Sequence, residues 1–220
     1  HSRDRCSTIF ALFVFVALYG AIPSQVQASH GPTLGHDTVV YRWAPAEQGG
    51  GLIGIEEGTG QANLLDSTAP LDSTAPTPLW WQVKLKDGRT IANTDLPCRI
   101  RSTPGAITFT WTGDIRVVVT SHLGADDNLL RSRIHVDAAA EGVGLRDVVF
   151  PVVGGIRPLA RDAADDRLLH AFRTGYTEPT PLTTGKPVNM RYCISYYMQF
   201  TALLGGGRGL YIGDHDPTAA

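Results

Sequence analysis

Apolar and polar residues alternate along most of the chain after residue 38. Short runs rich in β-branched and aromatic residues are separated by clusters of glycine, proline and aspartate, a pattern typical of strands joined by turns. This pattern predicts roughly eight to ten strands with no crossover helices between them. The predicted runs cover residues 38–43, 52–56, 79–85, 106–112, 115–120, 129–137, 143–153, 194–204 and 209–213.

The clearest hairpin is predicted over residues 106–120. Ile107, Phe109 and Trp111 alternate with threonines, and Gly113 and Asp114 supply the turn to the returning strand. Residues 129–137 extend the same pattern with one apolar and one solvated face. The predicted solvated face carries Arg131, Arg133 and His135.

Consecutive hairpins without crossover helices favour antiparallel sheets. The predicted fold class is therefore all-β, as a large antiparallel β-sandwich. Residues 162–172 are the only stretch with a helical pattern. Pro151 predicts a bulge or a sheet edge near the end of its strand, because proline cannot donate a ladder hydrogen bond.

The first 28 residues form a separate segment. Two arginines precede an uncharged apolar run over residues 9–22, and Val26 and Ala28 are the small residues of a cleavage site. The run is short for a hydrocarbon layer of about 30 Å. The sequence predicts a signal peptide over residues 1–28 and a secreted or periplasmic β-sandwich domain over residues 29–220. An uncleaved membrane anchor is the alternative.

Composition and charge narrow the range of partners. The chain has 220 residues, 18% of them charged, and a formal net charge of −2. This balance lacks the basic excess typical of nucleic-acid-binding domains and of anionic membrane surfaces. We therefore expect no nucleic-acid partner, and no membrane association after signal cleavage.

The cysteines leave two possibilities open. Removal of the signal segment leaves Cys98 and Cys193, which an exported protein can join in a disulfide but can also keep as two buried thiols. Their separation has no metal-ligand spacing. The hexapeptide Leu-Asp-Ser-Thr-Ala-Pro occurs twice in succession over residues 65–76, which indicates a lengthened surface loop.

Motifs for nucleophilic catalysis or phosphate binding are not found in the sequence, and no cofactor is expected. The acidic residues 56, 57, 114, 126, 127, 165, 166 and 178 lie in or next to predicted turns, where solvated carboxylates are the default. Asp214 and Asp216 are weak candidates for binding a hard cation. The simpler interpretation is that Asp216, with the proline after it, ends the strand and caps a turn.

Adjacent aromatic residues are the remaining candidates for a binding site. Neighbouring side chains in a strand point to opposite faces, so one of Trp80 and Trp81 and one of Tyr196 and Tyr197 should lie outside the core. Exposed rings of this kind stack on sugars. They are also typical of a surface that a neighbouring domain covers, and both interpretations stay open.

Several segments, in order, resemble one family. Residues 50–60, 78–80, 86–88, 144–151, 198–200 and 207–217 are similar to parts of secreted glycoside hydrolase-like proteins; the last reads Gly-Arg-Gly-Leu-Tyr-Ile-Gly-Asp-His-Asp-Pro. Those proteins begin with a sandwich resembling the galactose mutarotase-like super-sandwich. A (β/α)8 barrel follows, as in endo-α-N-acetylgalactosaminidase-like enzymes.

The resemblance implies a non-catalytic module. In such enzymes the barrel carries the catalytic acid and nucleophile, so the expected partners here are a glycan and a barrel that would follow residue 220. The alternatives are a free-standing carbohydrate-binding or adhesion domain and an aldose epimerase-like enzyme. Epimerisation needs an acid and a base facing one pocket, and the nearest set in the sequence is His122, His135 and Glu141.

Overall fold

The computed structural model describes residues 10–11, 31–36, 38–58, 61–65, 79–124, 127, 129–172, 176–179, 181–184 and 196–214. Within these residues, strands predominate, with one short helix, α1 (Pro181–Thr184), and two 3-10 turns, Ala46–Gln48 and Ala163–Asp165. The strands are β1 (Phe10–Ala11), β2 (Thr33–His36), β3 (Val39–Trp43), β4 (Leu52–Glu57), β5 (Gln61–Asn63), β6 (Gln82–Leu85), β7 (Thr90–Ala92), β8 (Cys98–Thr103), β9 (Ala106–Thr112), β10 (Ile115–Leu123), β11 (Leu130–Ala138), β12 (Leu145–Val149), β13 (Arg167–Phe172), β14 (Tyr176–Pro179), β15 (Tyr196–Gly205) and β16 (Arg208–Asp214).

The strands form four antiparallel sheets. The central sheet has the order β11-β10-β9-β8, and the N-terminal sheet has the order β2-β3-β4-β5. A three-stranded sheet, β12-β6-β7, and the C-terminal sheet, β1-β16-β15-β13-β14, complete the set. The predicted all-β, antiparallel β-sandwich class is confirmed, and β12 is an edge strand, as Pro151 indicated.

The core lies on the inner face of the central sheet. Alternation directs Phe109, Trp111 and Val117 inward, and all three side chains are fully buried. Trp43 of the N-terminal sheet reaches the same layer, with its ring centroid 5.8 Å from that of Phe109. The Tyr41 phenol joins the two sheets by a hydrogen bond to the backbone of Leu130, and burial raises its pKa.

Two serines interrupt this apolar layer without leaving a polar group unsatisfied. Ser121 of β10 and Ser132 of β11 are directly paired across the strands and both are buried. Their hydroxyl oxygens lie 2.7 Å apart and hydrogen-bond to each other. A buried polar pair of this kind fixes the register of the two strands, because a one-residue slip would separate the partners.

Residues 162–172, the only stretch with a helical pattern, do not form a helix. Only the short turn Ala163–Asp165 is helical, and its Ala164 amide donates a hydrogen bond to the Asp162 carboxylate. Residues 167–172 form β13, which pairs with β14 on one side and β15 on the other. Ladder hydrogen bonds on both edges of β13 thus outweigh the local helix propensity of this alanine-rich segment.

The loop of the last hairpin consists of glycines because its backbone has positive φ angles. β15 and β16 pair from Phe200↔Gly213 to Gly205↔Arg208, which leaves a two-residue loop. Gly206 and Gly207 have φ values of 57° and 77°, as both central residues of a type I′ turn require. The predicted strands of this hairpin are confirmed.

Several predictions concern residues that the structure does not describe. Of residues 1–28, only β1 is described, so the signal-peptide prediction remains a prediction. The second copy of the hexapeptide and Cys193 also lie outside the described residues, whereas Cys98 carries a free thiol. No helix in the described part of the chain is long and apolar enough to cross a membrane.

Candidate functional site

The outer face of the central sheet is a broad polar surface. Its strands have alternating burial patterns, so every second residue of β9, β10 and β11 points away from the core. Strand pairing places Arg101, Thr108, Thr120 and Arg133 in one row across the sheet. The neighbouring row is Arg99, Thr110, Val118 and His135.

Arginines occupy both edges of this face. Arg99 and Arg101 are exposed on β8, and Arg133 is exposed on β11. Residues two apart on a strand are about 7 Å apart, and three strand spacings amount to about 14 Å. The two arginine edges therefore border a strip of threonine side chains about 14 Å wide.

Threonine hydroxyls form the middle of the face. Thr108 and Thr120 are directly paired, with 3.4 Å between their hydroxyl oxygens. Each hydroxyl can both donate and accept a hydrogen bond. A strip of hydroxyls between guanidinium groups can therefore bind a ligand that has many hydroxyls and some negative charge.

Other charged groups on this face are already paired. Arg131 makes two hydrogen bonds to the Asp127 carboxylate, and this interaction holds the pKa of Asp127 below its usual value. The His135 Nε2 atom lies 3.0 Å from Asp137 Oδ2, and Arg116 is 3.9 Å from the same oxygen. These contacts hold the side chains of Arg131, His135 and Arg116 beside their carboxylate partners.

Neither Trp80 nor Trp81 lies outside the core, although one of the two was expected to. Both side chains are fully buried, so neither presents a ring on which a sugar could stack. They precede β6 rather than lie within it, which removes the simple alternation that the prediction assumed. The Trp80 ring packs 4.9 Å from Phe109, and the Trp81 ring packs 5.3 Å from Trp111.

A buried asparagine fixes the backbone of this tryptophan pair. Asn93 Oδ1 accepts a 2.7 Å hydrogen bond from the Trp80 amide, and its Nδ2 donates to the Gly49 carbonyl at 3.2 Å. Trp111 Nε1 donates to the same carbonyl at 3.0 Å. The tryptophans are therefore part of the core and its polar anchor.

The remaining predicted site residues are only partly covered by the structure. Tyr196 and Tyr197 lie on β15 and Asp214 ends β16, but their side chains lie outside what is described, as does Asp216 entirely. Among the described residues, no group of three or more His, Cys, Asp or Glu side chains is placed to hold a metal ion. The stacking and cation roles of these residues stay predictions.

Two of the presumed solvated carboxylates are buried. Glu57 is 3% exposed and its Oε1 lies 3.1 Å from Arg208 Nε of the C-terminal sheet. Asp166 is fully buried and accepts hydrogen bonds from the Leu159 and Ala160 amides. Asp166 is thus held by two backbone donors, whereas Glu57 has an ion-pair contact with Arg208 but no hydrogen bond to Oε1.

The acid–base set expected for an epimerase does not assemble. His122 and His135 lie on adjacent strands of the central sheet but two rows apart, and Glu141 is exposed in a turn. The structure instead brings His170 and Glu178 together, with Nε2 and Oε2 3.8 Å apart. Glycine at position 175, between the run over residues 167–172 and the short segment Tyr176–Pro179, is the sequence signal for this hairpin.

Comparison of the chain with protein-family models, curated proteins and solved structures found no match.

Proposed function

We propose that this β-sandwich is a non-catalytic, carbohydrate-binding module of a secreted carbohydrate-active enzyme, and that it contacts the glycan through the outer face of the central sheet. The observation that carries the proposal is the row of threonines between arginine edges on β8 and β11. Sugars present hydroxyls that both donate and accept, and such a strip complements them.

The arrangement of acids supports binding rather than catalysis. Glycoside hydrolysis needs two carboxyl groups about 5–10 Å apart across one cleft. The buried acids Glu57 and Asp166 are engaged with Arg208 and with backbone amides. In this proposal the hydrolytic residues belong to a glycosidase barrel, as the family resemblance implies, and the chain is exported by its N-terminal segment.

An aldose epimerase is the second candidate, and the His170–Glu178 pair is the observation that favours it. The two side chains could exchange a proton with a sugar hydroxyl. His170 is only 3% exposed, however, so a sugar would reach it only after a rearrangement of the C-terminal sheet. Binding at the central sheet requires no such change.

Affinity electrophoresis tests the proposal. The secreted protein is run through native gels that contain neutral or acidic polysaccharides, and aldose mutarotation and release of reducing sugar are measured on the same preparation. We expect retardation in at least one polysaccharide, with no mutarotase or glycosidase activity from this chain. Because hydroxyls at the centre of the face make the contacts, the double variant T108A/T120A should bind several-fold more weakly.

Thr90→Ala is the matched control, because Thr90 is an exposed strand threonine of the three-stranded sheet. It should bind like the parent protein. Migration unaffected by every polysaccharide would refute carbohydrate binding. Mutarotase activity that is lost in His170→Gln would favour the epimerase instead.

A further inference from the structure

Three arginines of the outer face have no carboxylate partner in the described part of the chain. Arg99, Arg101 and Arg133 are exposed, and no ion pair involves them there. Some other arginines of the sandwich are paired with carboxylates. Arg42 makes a two-point contact with Glu56, and Arg89 bridges the carboxylates of Asp87 and Asp114.

This distribution places three uncompensated positive charges on one face of a protein whose formal net charge is −2. Like charges are placed side by side where Arg99 and Arg101 follow each other on β8. Such an arrangement costs electrostatic repulsion in the free protein. A ligand that carries spaced anionic groups would relieve this repulsion.

Resting on the proposed function, we infer that the glycan bound here is an acidic polysaccharide. Its carboxylate or sulfate groups pair with Arg99 and Arg101 on one edge and with Arg133 on the other, and its hydroxyls contact the threonine strip. The planar guanidinium binds either anion through two parallel hydrogen bonds, which gives orientation as well as affinity.

The surface favours a polysaccharide over the other polyanions. Single-stranded nucleic acid is held by aromatic side chains on which bases stack. The rings of β9, Phe109 and Trp111, point into the core. An anionic membrane surface would favour a lysine-rich helix with an apolar face, whereas the centre of this face is a row of threonines.

Isothermal titration separates the contributions of charge and of hydroxyls. Oligogalacturonate supplies carboxylates, a sulfated galactan supplies sulfates, and dextran is the neutral glycan. We expect binding to at least one acidic glycan, weakened at least tenfold in the triple variant R99A/R101A/R133A, since charge-assisted hydrogen bonds of this type are worth about tenfold each. Raising the salt concentration from 50 to 500 mM should also weaken binding of the acidic glycan to the parent protein, because salt screens the charges.

Arg146→Ala is the matched control, because Arg146 is an exposed arginine on β12 of a different sheet. It should leave the affinity unchanged, and the melting temperature of each variant checks its fold. If dextran binds as tightly as the acidic glycans, and neither salt nor the triple variant changes that binding, this inference is overturned. Glycan binding itself would remain supported. Absence of binding to every glycan would overturn both, and tighter binding to oligodeoxythymidylate would assign the face to nucleic acid.

Discussion

Burial controls the chemistry of the Cys98 thiol. The side chain is half-buried, and loss of hydration together with the negative charge of Glu47 raises its pKa to about 12. Cysteine in an unfolded chain has a pKa near 9.0. The folded state therefore holds a proton that the unfolded state releases, and this contribution to stability decreases as the pH rises above about 9.

We predict slow alkylation of Cys98 in the native protein. Only the thiolate reacts, so between pH 8 and 9.5 the rate with iodoacetamide should be at least tenfold lower than in urea-unfolded protein. Peptide mapping by mass spectrometry resolves Cys98 from the other cysteines. Equal rates in the two states would contradict the raised pKa.

At the scale of elements, the absence of a side chain at Gly205 allows the last hairpin to pack closely against the segment that precedes β13. A Cβ atom at this position would lie within 3.0 Å of both the Asp166 carboxylate and the Ala160 amide, the two groups that hydrogen-bond to each other. Gly207 has open space around it, although its φ is 77°. The two glycines therefore differ in steric room.

This difference predicts unequal effects of alanine. Gly207→Ala should lower the free energy of unfolding by about 1–2 kcal/mol, the cost of a left-handed backbone. Gly205→Ala should lower it by more, because its Cβ would displace the Asp166 carboxylate from the buried Leu159 amide and the part-buried Ala160 amide, at about 1–3 kcal/mol each. Urea unfolding of both variants gives the comparison, and an equal or smaller effect of Gly205→Ala would contradict it.

Strands that their own sequence pattern specifies were predicted correctly, whereas strands that depend on distant partners were not. The hairpin of β9 and β10 and the inward face of β11 were predicted residue by residue, because alternation determines which side chains are buried. β13 was mispredicted, because its state depends on ladders to β14 and β15 rather than on its own pattern. The burial of Trp80 and Trp81 likewise depends on Asn93 and on rings from other strands.

The candidate site was half predictable. Arg133 and His135 were expected on a solvated face, and they lie there. Arg99 and Arg101 were missed, because β8 was not recognised as a strand: its outer end, Ser102 and Thr103, is exposed and does not alternate. Only pairing with β9 places these arginines in rows with the threonines.

At the scale of the whole molecule, an ion pair between the buried Glu57 and the partly exposed Arg208 joins two sheets. Glu57 ends β4 of the N-terminal sheet, and Arg208 begins β16 of the C-terminal sheet. Their Oε1 and Nε atoms are 3.1 Å apart, and the Glu57 side chain is 3% exposed. Removing one partner leaves a buried charge without compensation.

We expect Arg208→Met to destabilise the protein by about 1–3 kcal/mol, because it leaves the buried Glu57 carboxylate without its cation, and the double variant E57Q/R208M to cost clearly less, since it removes both charges. A double-mutant cycle from urea unfolding measures the coupling. Additive effects of the two single substitutions would contradict a direct pair. Arg161→Met, at an exposed position, is the control and should be nearly neutral.

Chemical-shift mapping tests most directly whether the outer face of the central sheet binds the glycan. ¹⁵N-labelled protein is titrated with oligogalacturonate and with a sulfated oligogalactan. Shifts should concentrate in β8, β9, β10 and β11, above all at Arg99, Arg101, Thr120 and Arg133, while β12 and the C-terminal sheet stay unchanged. Shifts confined to the C-terminal sheet, or none at saturating glycan, would contradict this assignment.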